Sequence, residues 1–265
     1  MIRRPPRSTP SNSSAASDVY KRQVNPSAQV LIGGLAYEYF VENGGGFVRS
    51  FITDVLTAGG GEYFDLMNFH YYGDDLVGRI EHLRDLLAAS GYEKPLVCTE
   101  VSRSWGDRAL EDEGELYARY LPQAMVRGAA EGLPIVHWFA LGDMGDTWRP
   151  GLFALNGTHR PAYEVYRVLS DVLGGASYVR RLSDSEIGAA PLEGYVFDVS
   201  RGGGRLDVVW TTQSTVVSWQ VEAPWVYLTN KYGGTRFVYD AYDGSVDNRS
   251  TFDVGVNPLY VLYGE

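Results

Sequence analysis

Cysteine and histidine are scarce in this chain. Among 265 residues there are one Cys, Cys98, and four His. A single thiol excludes an internal disulfide and leaves the redox compartment open. No HExxH or paired-His spacing occurs, so the sequence points to no metal centre. Positive charge is short as well: 23 Lys and Arg stand against 33 Asp and Glu, a net charge of −10. A phosphate-binding surface needs clustered Lys and Arg, which argues against nucleic acid as a partner. No apolar run approaches the roughly 18 residues of a membrane span, and no membrane partner is expected. Gly-x-Ser-x-Gly is missing, which counts against a serine hydrolase. Gly44–Gly46 and Gly59–Gly61 lack the spacing and the lysine of a phosphate loop and read as turns.

What the chain does have is aromatic surface: 19 Tyr, 6 Trp and 10 Phe in a composition that is 45% hydrophobic. Tyr and Trp join an apolar face to a polar tip, which suits sugar surfaces and β-sandwich cores alike. Two glycosylation sequons, Asn156-Gly-Thr158 and Asn248-Arg-Ser250, are too common a pattern to use.

Residues 1–23 differ from the rest. They hold almost no apolar residue and carry Arg3, Arg4, Arg7, Lys21 and Arg22 against Asp18, a charge of +4 that leaves −14 on the remainder. A signal peptide would follow its basic start with about 7–15 apolar residues, and none is present. By composition this is a disordered basic tail. Met1–Thr9 and Ser13–Gln23 also look like translated sequencing-adapter read-through, which implies a natural sequence interrupted where Val24 begins.

From Val24 to about residue 175, strand and helix alternate. Val30–Ala36 reads as a buried strand, followed by a helix with Phe47, Phe51, Val55 and Leu56 on one stripe. Phe64–Tyr72 reads as the next strand. A helix follows with Leu76, Ile80, Leu83 and Leu87 at helical spacing, closed by Ser90-Gly91. Lys94–Glu100 is a third strand, and the acids from Glu111 to Glu115 suit the start of a helix. Gly132 and Pro134 introduce a fourth strand, Pro134–Ala140. A last helix starts at Pro161, with Ala162, Val165, Tyr166, Leu169, Val172 and Leu173 on one face. Strand starts near 30, 64, 95 and 134 repeat at the length of a βα unit, implying a parallel sheet covered by helices. A doubly wound sheet or a barrel would fit. The barrel is favoured because candidate functional residues end several different strands. A full (β/α)8 barrel needs about 250 residues, so four units make half of one. Such an open half barrel is expected to self-associate through its bare edges.

From about 176 to 265 the pattern becomes antiparallel. Gly194–Val199 and Arg205–Trp210 flank Arg201–Gly204 as a hairpin, and Val216–Val221, Trp225–Leu228, Thr235–Tyr239 and Pro258–Tyr263 add strands. This reads as a small β-sandwich joined at Gly174-Gly175.

Strand ends carry the chemistry. Alternation puts Asn68, His70 and Tyr72 on one face, Leu96, Cys98 and Glu100 on another, and Val136 and Trp138 on a third. Pointed inward, these faces bring Glu100, His70, Tyr72 and Trp138 to one rim, with Trp105, Asp143 and Trp148 in the following loops. A carboxylate among Leu96, Val97 and Cys98 is costly unless it has a task. A rigid, ionised Glu100 helped by a Tyr hydroxyl suits attack on an anomeric carbon, His70 can orient it, and Trp138 offers a flat floor to a sugar ring. Taken singly, a strand-end Glu such as Glu100 is more often a loop ion-pair partner, a residue like His70 more often a hydrogen-bonded core residue and one like Trp138 more often packing; their joint placement favours a site. A carbohydrate-binding protein without catalysis is the alternative.

The chain resembles the carboxyl-terminal half of clan A glycoside hydrolases, the retaining (β/α)8 enzymes that include families 5, 30 and 39. The resemblance rests on Glu100 at the end of the seventh strand, His70-x-Tyr72 on the sixth and Trp138 on the eighth. Thr158–Tyr163 before the last helix and the trailing β domain add to it. It implies a partial (β/α)8 barrel followed by a β-sandwich, hydrolysis of a β-linked glycoside without a cofactor, and Glu100 as nucleophile. One feature departs. The clan sets its acid/base Glu after an Asn on strand 4, and no Asn-Glu pair occurs in this sequence. Retaining hydrolysis needs two carboxylates about 5–5.5 Å apart, so the chain alone is expected to be inactive on ordinary glycosides.

Overall fold

The computed structural model describes residue 21 and residues 23–36, 50–103, 113–145, 148–199, 204–244 and 246–263. The fold is mixed α/β, with a parallel sheet first and antiparallel sheets after it. The chain divides into two compact units, one of residues up to Val101 with Leu133–Trp138, the other of Ser102–Gly132 with residues from Phe139 onward.

The first unit holds helix α1 (Phe51–Thr57), strand β1 (Met67–Tyr71), helix α2 (Leu76–Ala89), strand β2 (Leu96–Val101) and strand β3 (Val136–Trp138). The strands form a parallel sheet in the order β1-β2-β3. α2 buries the expected stripe of Leu76, Ile80, Leu83 and Leu87. Its first turn is capped by the Asp75 carboxylate, which accepts from the Gly78 N–H at 3.0 Å. In α1, Ile52, Val55 and Leu56 are buried and Phe51 is half-buried; Phe47 lies outside the described residues, as do residues 1–20 and 22 of the basic segment.

One expected strand is not formed. Val30–Ala36 runs beside β1 but forms only two isolated parallel bridges, Leu31 with Leu66 just before the strand and Leu35 with Phe69 within it. Gly33 and Gly34 fall between those bridges, and glycine weakens a strand interior.

The second unit carries helices α3 (Glu113–Ala130), α4 (Pro161–Leu173) and the short α5 (Asp184–Ile187), with eight strands. These are β4 (Ala176–Arg181), β5 (Leu192–Val199), β6 (Gly204–Thr211), β7 (Val217–Val221), β8 (Trp225–Asn230), β9 (Thr235–Tyr239), β10 (Ser250–Val254) and β11 (Leu259–Tyr263). Six form one antiparallel sheet in the order β4-β5-β6-β11-β8-β9, and β10 pairs with β7. A core that includes Val196, Val209, Trp219, Val226, Leu228, Phe252 and Val261 joins the two sheets. β4 and β10 are additions to the strands expected from the sequence: β4 is mostly exposed and carries no apolar alternation to betray it. On α4 the buried residues are Ala162, Val165, Val168 and Leu169, while Tyr166 is exposed.

Charged groups pin this unit together. Arg127 of α3 donates twice to Glu193 of β5, at 2.7 and 2.6 Å, and Glu193 also accepts from Tyr195 at 2.6 Å and Trp210 at 3.2 Å. Burial alone would raise the Glu193 carboxyl, but the bonds and charge of Arg127 outweigh it and hold it low. Glu186 is held well below the usual carboxylate range by hydrogen bonds from Arg180 first, then from Ser183 and Arg205, against the opposing effect of burial. Asp207 goes the other way, because burial raises it more than Arg205 and Tyr263 lower it.

A depressed carboxylate adds stability above its unfolded value, about 4.3 for Glu, and that stability is lost as the pH falls through the folded value. Asp207, being raised, takes its proton early on acidification and offsets part of that loss. Glu186→Gln is therefore expected to lower the urea midpoint at neutral pH and to flatten its decline below roughly pH 4.5. An unchanged slope in midpoint against pH would contradict this account.

Candidate active site

β1 and β2 build the site through an irregularity in their pairing. Met67, Asn68 and Phe69 face Leu96, Val97 and Cys98 in register. The register then slips, so that His70 faces Glu100 and Tyr71 faces Val101, and Thr99 is left as an extra residue. Strict alternation would place Glu100 with Leu96 and Cys98. The bulge overturns that expectation, because an inserted residue re-aims the side chains beyond it. Leu96, Cys98 and Val101 instead follow the buried Met67, Phe69 and Tyr71 side, while Glu100 follows Asn68 and His70.

The polar groups on that side are wired together. The Tyr72 hydroxyl donates a short hydrogen bond to Oε2 of Glu100. Nδ1 of His70 lies 3.2 Å from the same oxygen. On the other edge of the ring, Nε2 is 3.1 Å from Oγ1 of Thr99, which donates to Oδ1 of Asn68 at 2.8 Å. Burial first, and then its bond to the Glu100 carboxylate, pushes the Tyr72 phenol far above its ordinary value. Tyr72 therefore keeps its proton and remains a donor to Glu100. Two groups thus hold one carboxylate oxygen in place. Oε1 accepts no hydrogen bond from the described residues, and the Glu100 side chain is 30% exposed.

Gly34 completes the wall. A Cβ built there would fall 2.1 Å from Nε2 of His70, so the ring rests against bare backbone. The same segment bonds to β1 through the His70 N–H, which donates to the Leu35 carbonyl at 3.1 Å.

Among the described contacts, none of the remaining sequence candidates bonds to Glu100. Trp138 pairs in register with Val101, and Val101 with Tyr71, so its position follows the Tyr71 side of the sheet and not the Glu100 side. Asp143 belongs to the second unit, where its side chain is 1% exposed. Its carboxylate accepts from Arg160, in a short contact to Nη2 and at 3.1 Å to Nε, and from the Gly151 N–H at 3.2 Å. That is a clamp on the loop after β3. Trp148, also in that unit, packs against Phe139 with ring centroids 5.3 Å apart. Trp105 lies outside the described residues. Thr99 is the residue the sequence reading missed: its only signal is a hydroxyl beside a strand-end carboxylate, and alternation would have turned it away. Among the described residues, no group of three or more His, Cys, Asp or Glu is arranged to hold a metal ion, and no helix is long and apolar enough to cross a membrane.

Solved structures that superpose on this chain include glycoside hydrolases. A family 39 glycoside hydrolase from Bacteroides cellulosilyticus WH2 superposes with a TM-score of 0.73 at 17% identity, covering 97% of this chain and 56% of that one. A glucosidase from Croceicoccus marinus gives 0.64 at 13% identity, with coverages of 97% and 65%. A family 30 endoxylanase from Clostridium papyrosolvens C71 gives 0.57 at 12% identity, with 97% and 60%. The chain thus spans 56 to 65% of the length of these structures. At such identities the likeness shows the fold, a glycoside hydrolase fold. No protein-family model matches the chain, and no curated protein matches it.

The contact between Gly34 and His70 can be tested directly. Gly34→Ala is expected to push the imidazole off its seat and break the approach of Nδ1 to Glu100, seen as a shift of the His70 ring resonances with the far-ultraviolet circular dichroism unchanged. Unmoved His70 resonances would remove Gly34 from the site.

Proposed function

We propose that this chain carries the nucleophile of a retaining glycoside hydrolase acting on a β-linked oligo- or polysaccharide, with Glu100 as that nucleophile. The observation that carries the reading is the convergence of Tyr72 and His70 on Oε2 of Glu100, which leaves Oε1 unengaged among the described residues. An anionic carboxylate locked by two groups on one oxygen is oriented to attack with the other. Oε1 would form a bond to the anomeric carbon as the aglycone oxygen leaves, and water would later cleave that ester. Tyr72, kept protonated, stabilises the carboxylate whenever its charge returns. The leaving oxygen needs a proton from a second carboxylic acid, and the sequence offers no Asn-Glu pair to supply it.

On this reading, β1, β2 and β3 belong to the last units of a (β/α)8 barrel over residues 24–175, and residues 176–265 form an accessory β-sandwich. Trp138, by its register, is assigned no part in holding the sugar.

Dinitrophenyl deoxyfluoro-β-glycosides test the nucleophile without the missing acid, because dinitrophenolate departs unprotonated. Incubation with gluco and xylo forms is expected to leave one covalent sugar on the peptide that contains Glu100, detected by mass spectrometry, and Glu100→Gln should abolish it. Tyr72→Phe removes a hydrogen bond to a charged group worth about 1.5–3 kcal/mol, so labelling should slow by roughly 10- to 150-fold. A sugar found on another residue, or undiminished labelling of Glu100→Gln, would overturn the assignment.

A second reading has its own observation. β8 and β9 at the edge of the large sheet pair Trp225 with Tyr239 and Tyr227 with Phe237, and the other three rings cluster around Phe237 with centroids 4.7 to 5.8 Å from its own. Phe237 and Tyr239 are exposed, as is Tyr242 beside them. Flat, exposed rings of this kind suit a saccharide held without cleavage. In affinity gels containing xylan or mixed-linkage β-glucan, this reading expects retardation that Phe237→Ala with Tyr239→Ala removes and Glu100→Gln leaves intact. Retardation lost with Glu100→Gln alone would return the binding to the first site.

A further inference from the structure

We propose that Tyr71 is a positioning residue: by closing the loop between β1 and α2, its hydroxyl aims Tyr72 at one oxygen of Glu100 and so decides which oxygen stays free. The inference deepens the Glu100 reading and rests on it for its purpose. Tyr71 and Tyr72 are neighbours in the chain with different surroundings. Tyr71 is buried and pairs with Val101 of β2, whereas Tyr72 is half-buried and donates to Oε2 of Glu100.

The tip of the buried ring holds the loop. The Tyr71 hydroxyl oxygen accepts from the Asp75 N–H, four residues along, at 2.7 Å. Asp75 is in turn fixed to α2: its carboxylate accepts from the Gly78 N–H at 3.0 Å and its carbonyl from the Arg79 N–H at 3.2 Å. Tyr72, Gly73 and Asp74 therefore span two anchored points, one in the sheet and one at the helix. Gly73 lies against the same hydroxyl, since a Cβ built there would fall 2.5 Å from it. Glycine is what lets the loop close down so far. Three residues held at both ends have little freedom to swing the first side chain, and that side chain is the phenol on Oε2. A loosened loop would let Tyr72 turn from Oε2 to Oε1 and cover the oxygen that the proposed attack needs.

Two measurements on the full chain test this. A hydroxyl hydrogen-bonded to a carboxylate gives a downfield proton resonance, assigned to Tyr72 by its absence in Tyr72→Phe. Tyr71→Phe deletes the acceptor of the Asp75 N–H and is expected to weaken or erase that resonance. Gly73→Ala presses on the same atom and should do likewise, so either variant suffices if the other does not fold. In labelling by dinitrophenyl deoxyfluoro-β-glycosides, Tyr71→Phe should slow the covalent step by about 2- to 13-fold, the worth of one ordinary hydrogen bond, with the half-saturating concentration unchanged. In a Tyr72→Phe background it should slow labelling no further, because no hydroxyl remains to aim. A purely structural Tyr71 would lower the urea midpoint and leave these readouts alone. The proposal is overturned by a parent chain without the Tyr72 resonance, by a variant that keeps it unchanged, or by a Tyr71→Phe effect that persists at full size without the Tyr72 hydroxyl. If Glu100 is not the nucleophile, labelling fails in the parent while the resonance and its loss remain, so the two readings fail separately.

Discussion

In the parallel sheet, Thr99 has no partner on β1, and the chain absorbs it as a bulge between Cys98 and Glu100. A strand that alternates without interruption can show a ligand only every second side chain. With one residue inserted, two consecutive side chains, Thr99 and Glu100, reach the groups of β1 on the same side. The apolar side loses nothing by this, because Val101 resumes the buried row of Leu96 and Cys98. The disrupted ladder is offset by side-chain bonds to His70, Asn68 and Tyr72. Remove the bulge, and Glu100 would return to the buried side among Phe69 and Cys98, where an ionised carboxylate is costly.

Much of the fold was legible where a single period governed a segment. The stripe of α2, the Pro161 start of α4 and the hairpin of β5 with β6 rest on local rules that nothing tertiary contradicts. Legibility failed where the outcome depends on a neighbour. The apolar run from Val30 to Ala36 looks like a strand, but Gly34 yields to the His70 ring and only two bridges form. Tyr166 fits the helical stripe of α4 by spacing, yet Val168 is the residue buried. β4 carries too little apolar pattern to be seen before its pairing with β5 is known.

The candidate site was legible as a set of residue types and not as a geometry. His70, Tyr72 and Glu100 meet, as their places at strand ends suggest. Their meeting comes through a register slip that no alternation rule contains. Asp143 was drawn in by its position after β3, but an acid in a loop is as readily a clamp as a ligand. Its buried pairing with Arg160 settles where its charge is spent.

The ion pairs of α3 carry a consequence for how such a chain can be taken apart. α3 follows β2 in sequence and would by chain order be grouped with the strand–helix repeat. Its charges are answered elsewhere in the second unit: Arg127 by Glu193 of β5, and Glu115 by the buried Lys231 that follows β8, at 2.7 Å. Cutting the chain at Gly174-Gly175 would strand Glu193 and Lys231 without their opposite charges. Any transplant of these antiparallel sheets onto another scaffold would have to carry α3 along, or replace both pairs with apolar residues of matching shape. The separable piece is therefore discontinuous in sequence.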